Sequence, residues 1–254
     1  MSLAALALVP PVLLAAWYGA PLACRARESR ALQRRCSETR TLVLTYDDGP
    51  GPRLTRELLA LLASRRAAAT FFMLGMHAAQ HPDVVDAVCA AGHEVACHGH
   101  AHLNAWRCTP WRGLRDLREG YQQLAPWLHD RGLYRPPYGK ATILTRAAVH
   151  RRRGQFGWWT IVAGDVERRL PDVTRAADAL ERRDGGVVLL HDFDRQTPRA
   201  TFVLDATEAL LNAAQRRSLR VVTLGQLLRL PRSSAAVPAT ASFQPGSETL
   251  PSGS

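Results

Sequence analysis

The chain has 254 residues, 46% hydrophobic and 22% charged, a balance that fits one or two globular domains with a sizeable core and excludes disordered, collagen-like and polytopic membrane classes. Its formal charge is +11, but every one of the 33 cations except Lys140 is Arg, and no aromatic-interleaved basic stripe accompanies them, so nucleic-acid binding is not indicated. Five Cys cannot all pair internally, and without any C-x-x-C spacing Cys24, Cys36, Cys89, Cys97 and Cys108 read as free thiols.

Residues 1–23 carry no charged side chain and lead into an Arg-rich stretch, 24–40. The charge follows the apolar run instead of preceding it, and Tyr18 or Pro21 spoils a small-x-small cleavage site. The run therefore reads as an uncleaved N-terminal membrane anchor, kinked at Pro10-Pro11, with a basic linker behind it. That linker suits anionic lipid head groups, although the positive-inside rule would keep the following domain cytoplasmic. At the other end, 231–254 is rich in Ser, Ala, Pro and Thr and reads as a disordered tail.

Between Thr41 and Leu230 short apolar runs alternate with helical-period stretches. Thr41–Tyr46 reads as a buried strand, and Leu54, Leu58, Leu61 and Leu62 then mark a helix. Ala69–Leu74 is a second strand, Pro82–Ala91 a helix, Glu94–Cys97 a third strand and Trp111–Leu128 a helix. Phe156–Val162, Val187–His191 and Leu219–Thr223 follow as strands, with helices near Thr174–Arg183 and Phe202–Arg216. No internal repeat is visible. The alternation predicts βα units on a parallel sheet, whose strands' C-terminal ends carry the chemistry in a barrel.

The residues at those ends are chemically pointed. The first strand runs into Tyr46-Asp47-Asp48-Gly49-Pro50, where Gly-Pro stops the strand and leaves two carboxylates at its mouth. After the third strand comes His98-Gly99-His100-Ala101-His102, whose spacings of four and two match one helical face or one strand face, and either could hold a metal. His77, His81 and His93 lack such a setting and read as surface or helix-end residues. Arg135-Pro136-Pro137-Tyr138, then Ala163-Gly164-Asp165, then Leu189-Leu190-His191-Asp192 share the strand-end position; singly, each is an ordinary loop, cap or strand end.

Together with Ala69-Thr70-Phe71-Phe72 and Gly92-His93-Glu94-Val95, these motifs occur in the order and approximate spacing of the polysaccharide deacetylase family, the NodB-homology domain. The resemblance covers roughly Thr41 to Leu228. It implies an α/β fold, a distorted (β/α) barrel with about seven parallel strands, and metal-dependent removal of acetyl groups from a glycan. Residue by residue it implies Asp47 as general base, Asp48, His98 and His102 as metal ligands, and Arg135 as the partner that orients Asp47. It further implies His191 as general acid with Asp165 as its partner. The Tyr138 N–H becomes an oxyanion donor, Leu189 part of the acetyl-methyl pocket, and Pro137 a substrate contact. The chemistry agrees with that set: a divalent cation polarises a carbonyl and acidifies water, a free carboxylate takes a proton and an imidazolium gives one. Zn²⁺ is the expected cofactor, with Co, Ni, Mn or Fe compatible with the same ligands.

Three positions depart from the family pattern. Gly99 stands where the family has Ser or Thr, removing a hydroxyl that braces the His loop. Val162 replaces the first Asp of an Asp-x-x-Asp-Trp motif, and Val166 replaces its Trp, a wall of the groove. The expected partner is an N-acetylated glycan, with no nucleic acid and no protein partner evident, and the resemblance favours the extracytoplasmic side. Two alternatives accompany this reading: a deacylase of a membrane-lipid-linked sugar, and a glycan-binding module that has lost catalysis. The two-His-one-carboxylate set also occurs in non-haem iron oxygenases, but the order of motifs here follows the deacetylases.

Overall fold

The computed structural model describes residues 3–128 and 132–230, with side chains described from Trp17 onward. The predicted tail, 231–254, lies outside the described residues, as do the side chains of most of the apolar N-terminal run. Among the described residues no helix is long and apolar enough to cross a membrane.

Strand β1 (Thr41–Asp47) is buried along its whole length, as its unbroken Leu-Val-Leu run requires of a central parallel strand covered on both faces. It is flanked by β2 (Ala69–Met73) and by β7 (Gly186–His191). Beyond β2 come β3 (Glu94–Cys97), β4 (Leu133–Tyr134) and β5 (Gln155–Phe156), and beyond β7 comes β6 (Ile161–Val162). A further short strand, β8 (Arg220–Val221), pairs with the foot of β1, and every pairing is parallel. The result is the expected (β/α) barrel, curled from seven parallel strands but open between the edges β5 and β6.

Helices α2 (Leu54–Ser64), α4 (Pro82–Ala90) and α5 (Pro110–Leu124) cover one flank, and α7 (Arg175–Arg183) and α8 (Thr197–Arg216) the other. Each buries a stripe at three-to-four spacing, as Leu54, Leu58 and Leu62 do on α2. Pro in the first turn of α4, α5 and α8 fits positions that need no N–H. Three further helices lie outside the sequence expectations, α3 (Gly75–Gln80), α6 (Ile143–Arg151) and α9 (Leu224–Arg229), although capping boxes at Thr142 and Thr223 start the last two.

The seam corrects two sequence expectations. The single strand predicted over Phe156–Val162 is two, β5 and β6, on opposite edges of the sheet; the chain crosses between them at 157–160 because Trp158 turns into the barrel, where it is 2% exposed. Most of the predicted linker, 24–40, is instead helical: residues 24–38 form the end of α1 (Leu3–Glu38) and lie along the seam. Its Leu32 and Cys36 enter the barrel interior with Val43, Phe72, Trp158 and Val187, where a fully buried leucine is worth about 2 kcal/mol. Arg25, Glu28, Leu32, Arg35 and Cys36 share one helical stripe. Along it Arg25 donates to the Gly139 carbonyl at 2.8 Å, Glu28 accepts from Trp158 Nε1 at 2.6 Å and pairs with Arg146 of α6 at 2.5 Å, and Arg35 donates to the carbonyls of Leu227, Leu228 and Leu230. All five thiols are free: Cys36 and Cys97 are buried, which pushes each up to about 12, and the others are half-buried.

Candidate active site

The register of the sheet assembles the site. Asp47 of β1 pairs with His191 of β7, so the two side chains emerge together at the strands' C-terminal edge. The next residue, Asp48, has φ of 72° and leaves the strand's alternation. Gly49 follows because any Cβ there would run into the Asp192 carboxylate.

Asp48 Oδ1 lies 3.3 Å from His98 Nε2 and 3.1 Å from His102 Nε2. It is buried and has no hydrogen-bond partner. His98 Nδ1 donates to the Arg135 carbonyl at 2.7 Å, which turns its Nε2 lone pair toward Asp48. Two imidazole nitrogens and one buried carboxylate oxygen, all within 4.8 Å of one another, make a donor set suited to a divalent cation. Burial raises the Asp48 pKa, but the adjacent imidazoles of His102 and His98 outweigh it and hold the carboxyl well below the usual range.

Asp47 sits beside this set without joining it, its Oδ2 3.8 Å from His98 Nε2. Its other oxygen accepts from Arg135 at 2.6 Å. Arg135 is fully buried, donates to Thr45 Oγ1 at 2.8 Å and to the Gly157 carbonyl at 2.7 Å, and lies 3.9 Å over the Phe72 ring. Burial lowers its pKa and the Asp47 charge opposes the drop.

Across the mouth, His191 Nδ1 meets Asp165 at 3.0 and 3.2 Å. Burial would discharge His191, yet the hydrogen bond and charge of Asp165, with the charges of Asp47 and Asp48, push its pKa above the ordinary value. Leu189 lines β7 one turn of the pleat below. Pro137, Tyr138 and Gly139 form a short turn in which Gly139 and Lys140 N–H bond back to Pro136 and Pro137. The Tyr138 N–H has no partner among the described backbone bonds. Its side chain is 58% exposed and packs against the His102 ring at 4.5 Å.

All ten site residues singled out in the sequence thus stand around one mouth, and other residues join them unforeseen. Gly99 has φ of +87°, and a Cβ there would lie 2.5 Å from Asp116, so the missing hydroxyl has no room. Asp116 of α5 braces the loop instead, accepting from Ala101 N–H at 2.7 Å. Asp192 is wholly buried beneath Asp47 and Asp48; burial and those two charges push it up to about 7, against a hydrogen bond from Thr55 at 2.7 Å. Arg195 reaches within 3.7 Å of Asp48. Of the histidines set aside, His77 is half-buried at the end of α3, as expected, while His93 is neither a surface nor a helix-end residue. His77 donates to the Asp48 carbonyl at 2.7 Å, and His93 is buried against Phe71, which drops its pKa to about 4.

Residues 34–153 match the family model described as polysaccharide deacetylase. A chitooligosaccharide deacetylase of Rhizobium leguminosarum bv. trifolii is 35% identical over 161 residues, 61% of this chain and 73% of that protein. The chain belongs to the polysaccharide deacetylase family. Another member, a peptidoglycan-N-acetylglucosamine deacetylase of Bacillus cereus, is 29% identical over 199 residues, 74% of this chain and 88% of its own. The fold of this polysaccharide deacetylase homologue also resembles that of a family 4 carbohydrate esterase from Streptomyces lividans solved with acetate. The two superpose with a TM-score of 0.63 at 26% identity over 73% of this chain and 92% of the other.

Proposed function

We propose that the protein is a metal-dependent hydrolase that removes N-acetyl groups from a glycan. One observation carries this reading: a carboxylate–imidazole donor set lies between a buried carboxylate clamped by Arg135 and a His191–Asp165 pair. A divalent cation bound by Asp48, His98 and His102, Zn²⁺ by preference for this donor set, supplies Lewis acidity to the acetyl carbonyl and to water.

The chain's own residues do the rest. Arg135 occupies Asp47 Oδ1, so Oδ2 is the free acceptor for the proton of the attacking water. The water oxygen joins the acetyl carbon, and the developing oxyanion is met by the Tyr138 N–H. Asp165 holds His191 through Nδ1, so its Nε2 faces the mouth and gives its proton to the leaving nitrogen as the C–N bond breaks. Acetate and a free amine result. Leu189 and Pro137 bound the space for the acetyl methyl group.

The test is Asp47→Asn with metal stoichiometry measured in the same sample. Acetate release is expected to fall by about 10²–10⁴-fold while the metal stays bound. Turnover retained in that variant would overturn the assigned base, and saturable glycan binding by the native chain without acetate release at any metal loading would make it a binding module.

A further inference from the structure

Six large apolar side chains stand exposed among the described residues: Leu22, Trp111, Tyr138, Ile143, Val162 and Val166. Scattered singly such residues mean little, but gathered they mark an interaction surface. All six belong to the catalytic end of the barrel. Tyr138 is in the turn beyond β4, Val162 ends β6, and Val166 adjoins the Asp165 that faces His191. Ile143 and Trp111 open α6 and α5, helices that start at that end; Trp111, 76% exposed, stands more than a turn beyond the Asp116 that braces the His loop. Leu22 lies on α1 between Arg25, bound to Gly139, and Tyr18, whose ring meets Trp106 at 5.1 Å. Trp111, Ile143 and Leu22 come from three helices that supply no reacting group, so the surface is wider than a sugar cleft.

The charge on the same segments is positive. Arg107, Arg112, Arg168 and Arg169 are exposed there and Lys140 lies over Trp106. Residues 101–112 and 138–143 contain no carboxylate, and in 162–172 Asp165 is buried, Glu167 is paired with Arg175, and Asp172 accepts from Thr174. Each unpaired surface cation strengthens adsorption to an anionic bilayer roughly fivefold. Helix α1 adds a direction. It climbs the seam from Cys36 at the foot to Tyr18 at the rim, about 27 Å at helical rise, and continues to Leu3 through residues that carry no charge.

We propose that this catalytic face docks onto an anionic lipid surface and takes its acetylated sugar from a lipid-linked carrier in that surface. The choice of substrate rests on the deacetylase reading; the docking does not. The decisive measurement is hydrogen–deuterium exchange of the full chain with phosphatidylglycerol vesicles, with phosphatidylcholine vesicles, and alone at high concentration. Phosphatidylglycerol is expected to protect 105–113, 138–144 and 162–169, leaving 64–67, 151–154 and 216–219 at the opposite end unchanged. Protection confined to residues 1–17, or equal protection of the face without vesicles, would overturn the proposal, the latter in favour of contact between two copies. The double variant Trp111→Ser/Ile143→Ser is expected to weaken vesicle partition roughly 100-fold, about tenfold for each side chain, with turnover of soluble chitooligosaccharides unchanged; undiminished partition would overturn it. Lipid-linked N-acetylglucosamine should exceed a soluble analogue at least tenfold in kcat/KM, an advantage the double variant loses. Vesicle protection without acetate release from either substrate would defeat the deacetylase reading and keep the docking. Acetate release from the soluble sugar with no vesicle protection would do the reverse.

Discussion

Replacing Asp165 with Asn removes a charge while keeping a carbonyl that can still accept from His191 Nδ1. At the observed 3.0 Å, Coulomb's law with an effective dielectric near 20 gives about 5.5 kcal/mol in favour of the imidazolium. Burial opposes this, and an adjacent opposite charge in proteins typically moves a pKa by about 1–3 units. His191 is raised in the native protein, so its protonated form persists below that value and is lost as pH rises through it. The alkaline limb of kcat should therefore move down by about 1–2 pH units in Asp165→Asn, costing about 10–100-fold in acetate release near pH 8.5 and far less near pH 6. The assay is initial-rate acetate release from a chitooligosaccharide between pH 5.5 and 9.5. A uniform drop with an unmoved alkaline limb would refute His191 as the acid charged by Asp165.

Arg135→Met leaves Asp47 buried without its partner, and urea unfolding should show a loss of about 3–5 kcal/mol; a loss below 1 kcal/mol would contradict the clamp. Asp192 keeps its proton in the fold up to about pH 7. That stability is present at acid pH and is lost as pH rises through 7, by at most about 4 kcal/mol. Metal-free Asp192→Asn should lack this decline when unfolding is compared at pH 5 and pH 8. His102→Gln, removing one of the three donors, should bring zinc content from near one per chain toward zero in elemental analysis, while Asp47→Asn leaves it unchanged.

What was legible in the sequence was what the strands enforce. Asp47, His98, Arg135 and His191 each stand where a short, largely apolar run ends, the first three just before Gly or Pro and His191 before Asp192, so the one-dimensional pattern already locates them on one face. Parallel register then does what spacing cannot, setting Asp47 beside His191 across nearly 150 residues of chain. The supporting groups left no such trace. Asp116 reads as one more charge on a polar helix face, and only its contact with the His98–His102 loop distinguishes it; its i, i+4 relation to Gly120, which also touches Gly99, is the signal that could have found it. Asp192 was hidden by its neighbour His191. The seam was misread because Trp158 and Trp159 continue an apolar run whose direction of burial changes at Gly157, and α1 because dense Arg masked a stripe of only Leu32 and Cys36.

The wiring at the seam reaches the proposed reacting groups. Glu28 on α1 holds Trp158; the Gly157 carbonyl beside it holds Arg135; Arg135 holds Asp47. Arg25 meanwhile ties the turn that carries the Tyr138 N–H. Neither Glu28 nor Arg25 is among the proposed reacting groups, yet the position of both the proposed base and the proposed oxyanion donor is tied to them. A protein trimmed to begin at Thr41, where the barrel pattern starts, would keep every proposed reacting group and lose the splint packed against their supports. The packed boundary of this fold therefore reaches upstream of Arg25, into a stretch that its composition presents as mere tether.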